Sequence, residues 1–295
     1  MSSHLGLVCI THSQDVRYRT ITRKRLLQHT DDVQQKLLEE IYRDNLQRLD
    51  TGLRYCVQEG IRLYRMPSSL FPFSDEEVGR EVLAKLAGAV GRVGDWATRN
   101  DIRLVMHPDQ FVVLNSDSAN VVANSIKILQ MHADIMDLLN QPRSPWALLE
   151  IHGGKSARGQ ALIDCIGRLP EAIRSRLGLE NDEYAYGAQE IYEICKASGV
   201  PMVFDAHHHV IKANLSSYED PSVGEMLLKA RDTWPDPAQQ LVHISNGRTA
   251  FNDRNHSDLI EVLPSSYAQA PWIEIEAKYK ELAIQKIRQT GAARL

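Results

Sequence analysis

Seven side chains able to bind a metal stand at the ends of short apolar runs. They are His107 after IRLVM, His152 after ALLEI, Glu180 in LGLEN, Asp205 in PMVFD with His208 just beyond, His243 in LVHIS and Glu276 in WIEIEA. Imidazole and carboxylate together suit Mn, Zn or Fe, and seven ligands exceed the roughly four to six positions of a single ion, so at least two ions are implied. Paired ions about 3.5 to 4 Å apart stabilise both the attacking and the leaving oxygen of a displacement at phosphorus, and they generate hydroxide near neutral pH. The chemistry indicated is hydrolysis of a phosphodiester. A lone histidine at a strand end is usually structural, but Glu180 and Asp205 sit in otherwise apolar strands, where an unpaired carboxylate is costly. The triplet His207-His208-His209 cannot all face one site.

Other residues lie where a substrate would be met. His107-Pro108-Asp109-Gln110-Phe111 sets an amide and an aromatic ring just past a ligand, where they could fill a gap in a base stack. His152-Gly153-Gly154 lets backbone approach closely or simply makes a turn. Arg17, Arg19, Arg23, Lys24 and Arg25 stand against Asp15 alone in the first thirty residues, with Tyr18 interleaved. Such a run is often a solvated face. Its place after the first strand makes contact with a phosphate backbone credible, as it does for Arg158, Arg248 and Arg254 on other loops.

The elements that must position these groups can be counted. Eight strand-like runs are expected: 5–11, 61–66, 102–106, 147–151, 177–181, 201–205, 241–245 and 272–277. Helices are expected over 33–58, 76–99, 119–139, 158–176, 188–197, 222–232, 256–263 and 281–288. In the first of these, Leu37, Leu38, Ile41, Tyr42, Leu46, Leu49 and Leu53 recur at helical spacing behind an Asp31-Asp32 start that suits the helix dipole. Eight strand–helix units describe a (β/α)8 TIM barrel spanning 1–295. The competing open doubly wound sheet lacks support, because no G-x-G-x-x-G or P-loop pattern follows any strand. A barrel carries its chemistry at the C-terminal strand ends, where the seven ligands fall.

Composition bounds the rest. With 34 Lys+Arg, 38 Asp+Glu and 43% hydrophobic residues, the chain is an ordinary globular protein of net charge −4. The acidity argues only weakly against a nucleic-acid partner, since a local patch matters more than a total. Cys9, Cys56, Cys165 and Cys195 have no C-x-x-C spacing and are read as reduced thiols. No apolar stretch approaches the roughly 18 residues of a membrane span, and no signal peptide is apparent, so a cytoplasmic protein is expected. A metal-dependent sugar isomerase or epimerase on the same barrel, and a barrel that binds damaged DNA without cutting it, are the rival readings.

The segments LGLVCIT, LYRMPSSLFPF, MHPDQFVVLNSD, IHGGKSARG, LENDE, FDAHHH, VHISNG, HSDLI and IEIEAKYKE, in this order, resemble the UV damage endonuclease family over nearly the whole chain. The resemblance implies a TIM barrel related to endonuclease IV, with two or three divalent ions, usually Mn2+, with Zn2+, Co2+ or Mg2+ as alternatives. It implies a monomer acting on damaged double-stranded DNA, with cleavage immediately 5′ to cyclobutane dimers, 6-4 photoproducts and some abasic sites. The implied ligands are His107, His152, Glu180, Asp205, His208, His243 and Glu276. Gln110 and Phe111 match the family's lesion-probing pair, and His256 matches a histidine near the cleft, a substrate contact or late-acting group. Three positions depart from the family: Leu7 replaces a first-strand aromatic, Leu241 replaces a lysine that can be carboxylated, and Asp75-Glu76 replaces a histidine after strand two. Glu76 is the favoured substitute ligand of that pair.

Overall fold

The computed structural model describes residues 3–13, 16–108 and 111–290. Eight parallel strands close on themselves in chain order: β1 (His4–Val8), β2 (Leu63–Met66), β3 (Arg103–Met106), β4 (Leu149–His152), β5 (Leu177–Glu180), β6 (Met202–Asp205), β7 (Leu241–Ile244) and β8 (Trp272–Ile275). Closure is made by β8 against β1, with Trp272 beside His4 and Glu274 beside Gly6. Around them run α1 (Arg23–Leu26), α2 (Asp31–Gln58), α3 (Glu77–Lys85), α4 (Ala87–Arg99), α5 (Ala119–Leu138), α6 (Gly159–Gly167), α7 (Glu171–Arg174), α8 (Ala188–Ser198), α9 (Ala206–Lys212), α10 (Pro221–Arg231) and α11 (Glu281–Gln289). The expected TIM barrel is the observed fold.

Strand side chains alternate between the helix layer and the barrel interior. The helix-facing set joins the main core, where Leu38, Ile41, Tyr42, Leu49 and Leu53 of α2 are buried as their spacing predicts. A separate apolar layer gathers Leu63, Val105, Leu148, Val203, Leu241, Trp234 and Trp272. Gly6 belongs beside this layer, because a Cβ there would lie 2.6 Å from the Leu63 side chain. Near it the buried Arg103 guanidinium lies 5.2, 5.7 and 5.3 Å from the rings of Trp146, Trp234 and Trp272 and donates to the carbonyls of Pro145, Trp146 and Gln239. This cation–π cage satisfies the charge in a place where water is excluded.

Four expectations are corrected. Strand one ends at Val8 because Cys9 adopts φ +62°, a left-handed conformation no strand continues through. The 76–99 helix is two, broken at Leu86, and the 158–176 helix is interrupted before Pro170. Residues 256–263 are not helical: Ser257 donates to the Asn246 carbonyl and accepts from Lys278, so that segment is tied across the rim instead. The short α9 was not expected, since it follows β6 with no connecting loop and is capped by Asp205, which accepts from the His208 amide at 2.8 Å. Among the described residues no helix is long and apolar enough to cross a membrane.

Candidate functional site

Glu180, at the end of β5, is the hub of the barrel mouth. Its Oε2 lies 3.1 Å from His107 Nε2 and 3.7 Å from His152 Nε2. Its Oε1 lies 2.9 Å from His243 Nδ1 and 3.7 Å from His208 Nε2. Ligand atoms lie within 4.8 Å of one another in three groups here: His107, His152 and Glu180; Glu180, Asp205 and His208; Asp205, His243 and Glu276. All seven strand-end residues are thereby brought together. Asp205 spends Oδ1 on its helix cap, while Oδ2 is buried with no hydrogen-bond partner among the described residues. A buried carboxylate oxygen left open in this way is what a cation would satisfy. The oxygen and nitrogen donor set fits divalent ions of the Mn or Zn type.

The histidine triplet divides as its crowding requires. His207 is buried against Tyr218 Oη at 2.6 Å and the Asp253 carbonyl at 2.9 Å, and His209 meets Ser222 Oγ at 3.1 Å. Only His208 reaches the mouth. His256, in the segment expected to be helical, comes to 3.8 Å from Glu276, held there by a bridge between Gly247 and His256.

Glu76 is a correction. It precedes α3 and lies 3.2 Å from Arg23 and 3.5 Å from Lys127, which also takes Asp75 at 3.0 Å. Phe73 at φ +62° turns the chain so that α3 starts here, and both carboxylates are occupied by cations of neighbouring helices. Neither belongs to a cluster of possible metal ligands among the described residues.

Sequence reasoning missed a second tier of charge. Arg65 Nη1 lies 2.5 Å from Glu276, 2.8 Å from Glu274 and 3.9 Å from Glu150, and Nε2 of His243 lies 3.2 Å from Glu274 and 3.3 Å from Glu150. Glu150 and Glu274 each stand two residues before a mouth residue, His152 and Glu276, so the strand alternation of LLEIH and WIEIE was the signal for both. Glu183, 2.6 Å from His208 Nδ1, had no such periodic signal.

The electrostatics follow from this crowding. Burial pushes Glu180 up, but His243, His152 and His107 more than offset it and hold the carboxyl well below its usual range. Burial pushes His208 down, yet Asp205, Glu183 and Glu180 raise it to about 10. Glu183 correspondingly falls to about 2, against its own burial. His243 is likewise raised by Glu180, Glu274 and Glu150 over the opposing effect of burial, whereas burial keeps His152 low. For Glu150, burial and the Glu274 charge both act upward.

At the rim, Phe111 is 72% exposed, so it is no core residue. It borders a cavity of about 390 Å³ that reaches Arg65, His107 and His152. Gln110 lies outside the described residues. The basic run is partly neutralised: Arg19 pairs with Glu40 and Asp44, at 2.9 and 3.4 Å. Tyr18 turns inward to Tyr64 Oη at 2.6 Å, and Arg17, half-buried, accepts at its carbonyl from Arg48. Tyr18 is thereby engaged with the buried Tyr64, while Arg19 stays on the surface. Arg158 pairs with Asp117, and Leu7 and Leu241 are buried in apolar surroundings.

Comparison with known proteins bears on the chain as a whole and on its fold. The family model described as UV-endonuclease UvdE matches residues 3–292. A UV DNA damage endonuclease from Nostoc sp. (strain PCC 7120) is 53% identical, covering 96% of this chain and 89% of the relative. One from Deinococcus radiodurans is 47% identical over 96% of this chain and 94% of its own length. The crystal structure of SacUVDE superposes with a TM-score of 0.81 at 25% identity, covering 98% of this chain and 99% of that one. With a barrel of the same architecture and a family match from end to end, the chain belongs to the UV-endonuclease UvdE family.

Proposed function

We propose that this protein is a metal-dependent endodeoxyribonuclease. It hydrolyses the phosphodiester immediately 5′ to UV photoproducts, cyclobutane pyrimidine dimers and 6-4 photoproducts, and at abasic sites, leaving a 3′-hydroxyl and a 5′-phosphate that open excision repair. One observation carries the reading: in a chain of this family, imidazoles and carboxylates from six strands meet around Glu180. His107, His152, Glu180, Asp205, His208, His243 and Glu276 would hold two or three divalent ions, Mn2+ foremost, with Zn2+, Co2+ or Mg2+ as alternatives. Such ions, when bound, neutralise phosphodiester charge and bring the pKa of water towards neutrality.

The chain's own residues supply the rest. Arg65 keeps Glu276 ionised and fixed in place, overcoming the effect of burial. His256, about one-third exposed and 3.8 Å from Glu276, would contact the substrate or act late in the reaction. Phe111, with Gln110, would wedge into the base stack, and poorly paired damaged bases cost less to displace than intact ones. On this reading residues 1–295 are one endonuclease domain, acting as a monomer in the cytoplasm on nucleoid DNA.

The test is a duplex carrying one defined cyclobutane dimer, incubated with protein and Mn2+. A single nick on the 5′ side of the dimer, absent with EDTA and absent for Glu276→Ala, is expected. No nick beside the lesion, or nicking unaffected by Glu276→Ala, overturns the reading.

A further inference from the structure

Beside the mouth lies a second cavity of about 420 Å³, which shares His107 and His152 with the one Phe111 borders. Its walls include Val113, Ile151, His152 and His208, and Tyr184 and Ala185 border it from the loop after β5. Tyr184 is 66% exposed. Exposed tyrosines are common and need no explanation, but this one is held in an uncommon way. Asp182 accepts from the Tyr184 amide at 2.6 Å and from the amides of Ala185 and Tyr186, while Lys212 donates to the Tyr184 carbonyl at 2.9 Å. The neighbouring Glu183 is anchored on His208, so the loop is fixed to the same cluster that holds the candidate metal ligands. The Arg254 guanidinium, from the loop between β7 and β8, lies 4.4 Å above the ring and is half exposed. The ring of Tyr184 is thus contacted on a face by the Arg254 guanidinium and held through its backbone by Asp182 and Lys212.

A rigid, cation-backed aromatic ring facing a cavity is a stacking surface for another planar π system. We propose that Tyr184 is a stacking platform for a nucleobase displaced from the duplex, seated in this cavity, with Arg254 backing the ring and offering charge to an adjoining phosphate. The inference rests on the endonuclease reading above and adds Tyr184 and Arg254 as binding residues for the displaced base. Preorganisation matters here, because no loop has to be ordered when the base arrives.

The experiment compares wild type, Tyr184→Ala, Tyr184→Phe and Arg254→Ala for binding to a duplex with one cyclobutane dimer and to the same duplex undamaged, by fluorescence anisotropy with EDTA present. Tyr184→Ala is expected to weaken binding of the dimer duplex about tenfold or more, the fold-change of one lost base–aromatic stack, with little change for intact DNA. Tyr184→Phe should retain wild-type affinity. Arg254→Ala should weaken both duplexes and flatten the salt dependence by about one phosphate contact. Wild-type affinity for the dimer duplex in Tyr184→Ala, or an equal loss in Tyr184→Phe, overturns the platform. Wild-type protein that nicks the dimer duplex with Mn2+ while Tyr184→Ala binds normally refutes the platform alone. Wild-type protein that neither nicks nor prefers the dimer duplex overturns both readings.

Discussion

Removing the Arg65 guanidinium beneath the mouth gives a measurable penalty. In Arg65→Met the aliphatic stem stays, but Glu276, Glu274 and Glu150 lose the guanidinium that lies 2.5, 2.8 and 3.9 Å away. Glu150 and Glu274 are fully buried, so water cannot replace it. Breaking a buried pair by deleting one partner costs about 3 to 5 kcal/mol, a large share of the roughly 5 to 15 kcal/mol that holds a typical protein folded. With an unfolding entropy of about 2.1 cal/mol/K per residue over 295 residues, that cost corresponds to a fall in Tm of roughly 5 to 8 °C. The sign of the pH dependence is fixed by Glu276. Burial raises its pKa, but Arg65 and His243 more than reverse this, so its folded-state value lies below the unfolded one. Its contribution is therefore present above the usual carboxylate pKa and disappears as the pH falls through the depressed folded value. Thermal unfolding followed by far-UV circular dichroism in EDTA should show the full deficit at pH 7 and a smaller one in acid. Added Mn2+ should recover part of it if cations bind at Glu276, because a ligand that binds only the folded state stabilises it. A Tm change below about 2 °C at pH 7, or one that does not shrink in acid, would refute the assignment of Arg65 as the balancing charge.

Three further outcomes follow from the mouth and its rim. Glu180→Gln keeps the shape of the hub but removes the charge facing His107, His152, His208 and His243, so bound Mn2+ measured by electron paramagnetic resonance should fall with folding retained. Phe111→Ala, exposed and outside every candidate metal group, should lower the ratio of dimer to intact-duplex binding while metal content stays constant; a drop in metal content would instead make Phe111 structural. Glu76→Ala should leave metal stoichiometry unchanged, because its carboxylate serves Arg23 and Lys127; loss of one ion per chain would contradict its placement.

How legible the fold was in the sequence depended on whether local pattern and tertiary contacts agreed. The eight short apolar runs and the α2 stripe agreed, since one face of each had to be buried whatever its neighbours. The segment 256–263 did not agree. Leu259, Ile260, Val262 and Leu263 imitate helical spacing, but their backbone is used in non-local bonds, as when Asn246 Oδ1 accepts from the amides of Glu261 and Val262. For α9 the sequence understated the helix, because His207, His208 and His209 are indifferent helix formers and the cap that starts it, Asp205, is also the last residue of a strand. The gathering of the seven strand-end residues was legible because a barrel exposes its strand ends to one opening. Glu183 was not, since a carboxylate in a loop carries no period that says which way it points.

The same alternation explains what stands beneath the mouth residues. Two residues before a mouth group lies the next position down the same interior column: Glu150 under His152, Glu274 under Glu276, Val203 under Asp205, Leu241 under His243. Two of these positions are acidic, so this level needs a cation. It comes from β2 as Arg65, whose guanidinium spans three carboxylates at once, a reach that suits its planar fork of donors better than a lysine's point charge. On β7 the residue at this level is apolar, and Leu241 packs with Leu63, Val105 and Val203 in the dry layer. His243 then sits between two environments, Nδ1 towards Glu180 and Glu276 at the mouth and Nε2 towards Glu150 and Glu274 below. A histidine whose inner nitrogen is held by carboxylates presents the outer one in a fixed orientation, as ligating histidines do when an acidic partner sets their tautomer. The buried acids thus support the mouth through His243, and Arg65 is the guanidinium that ties them to Glu276.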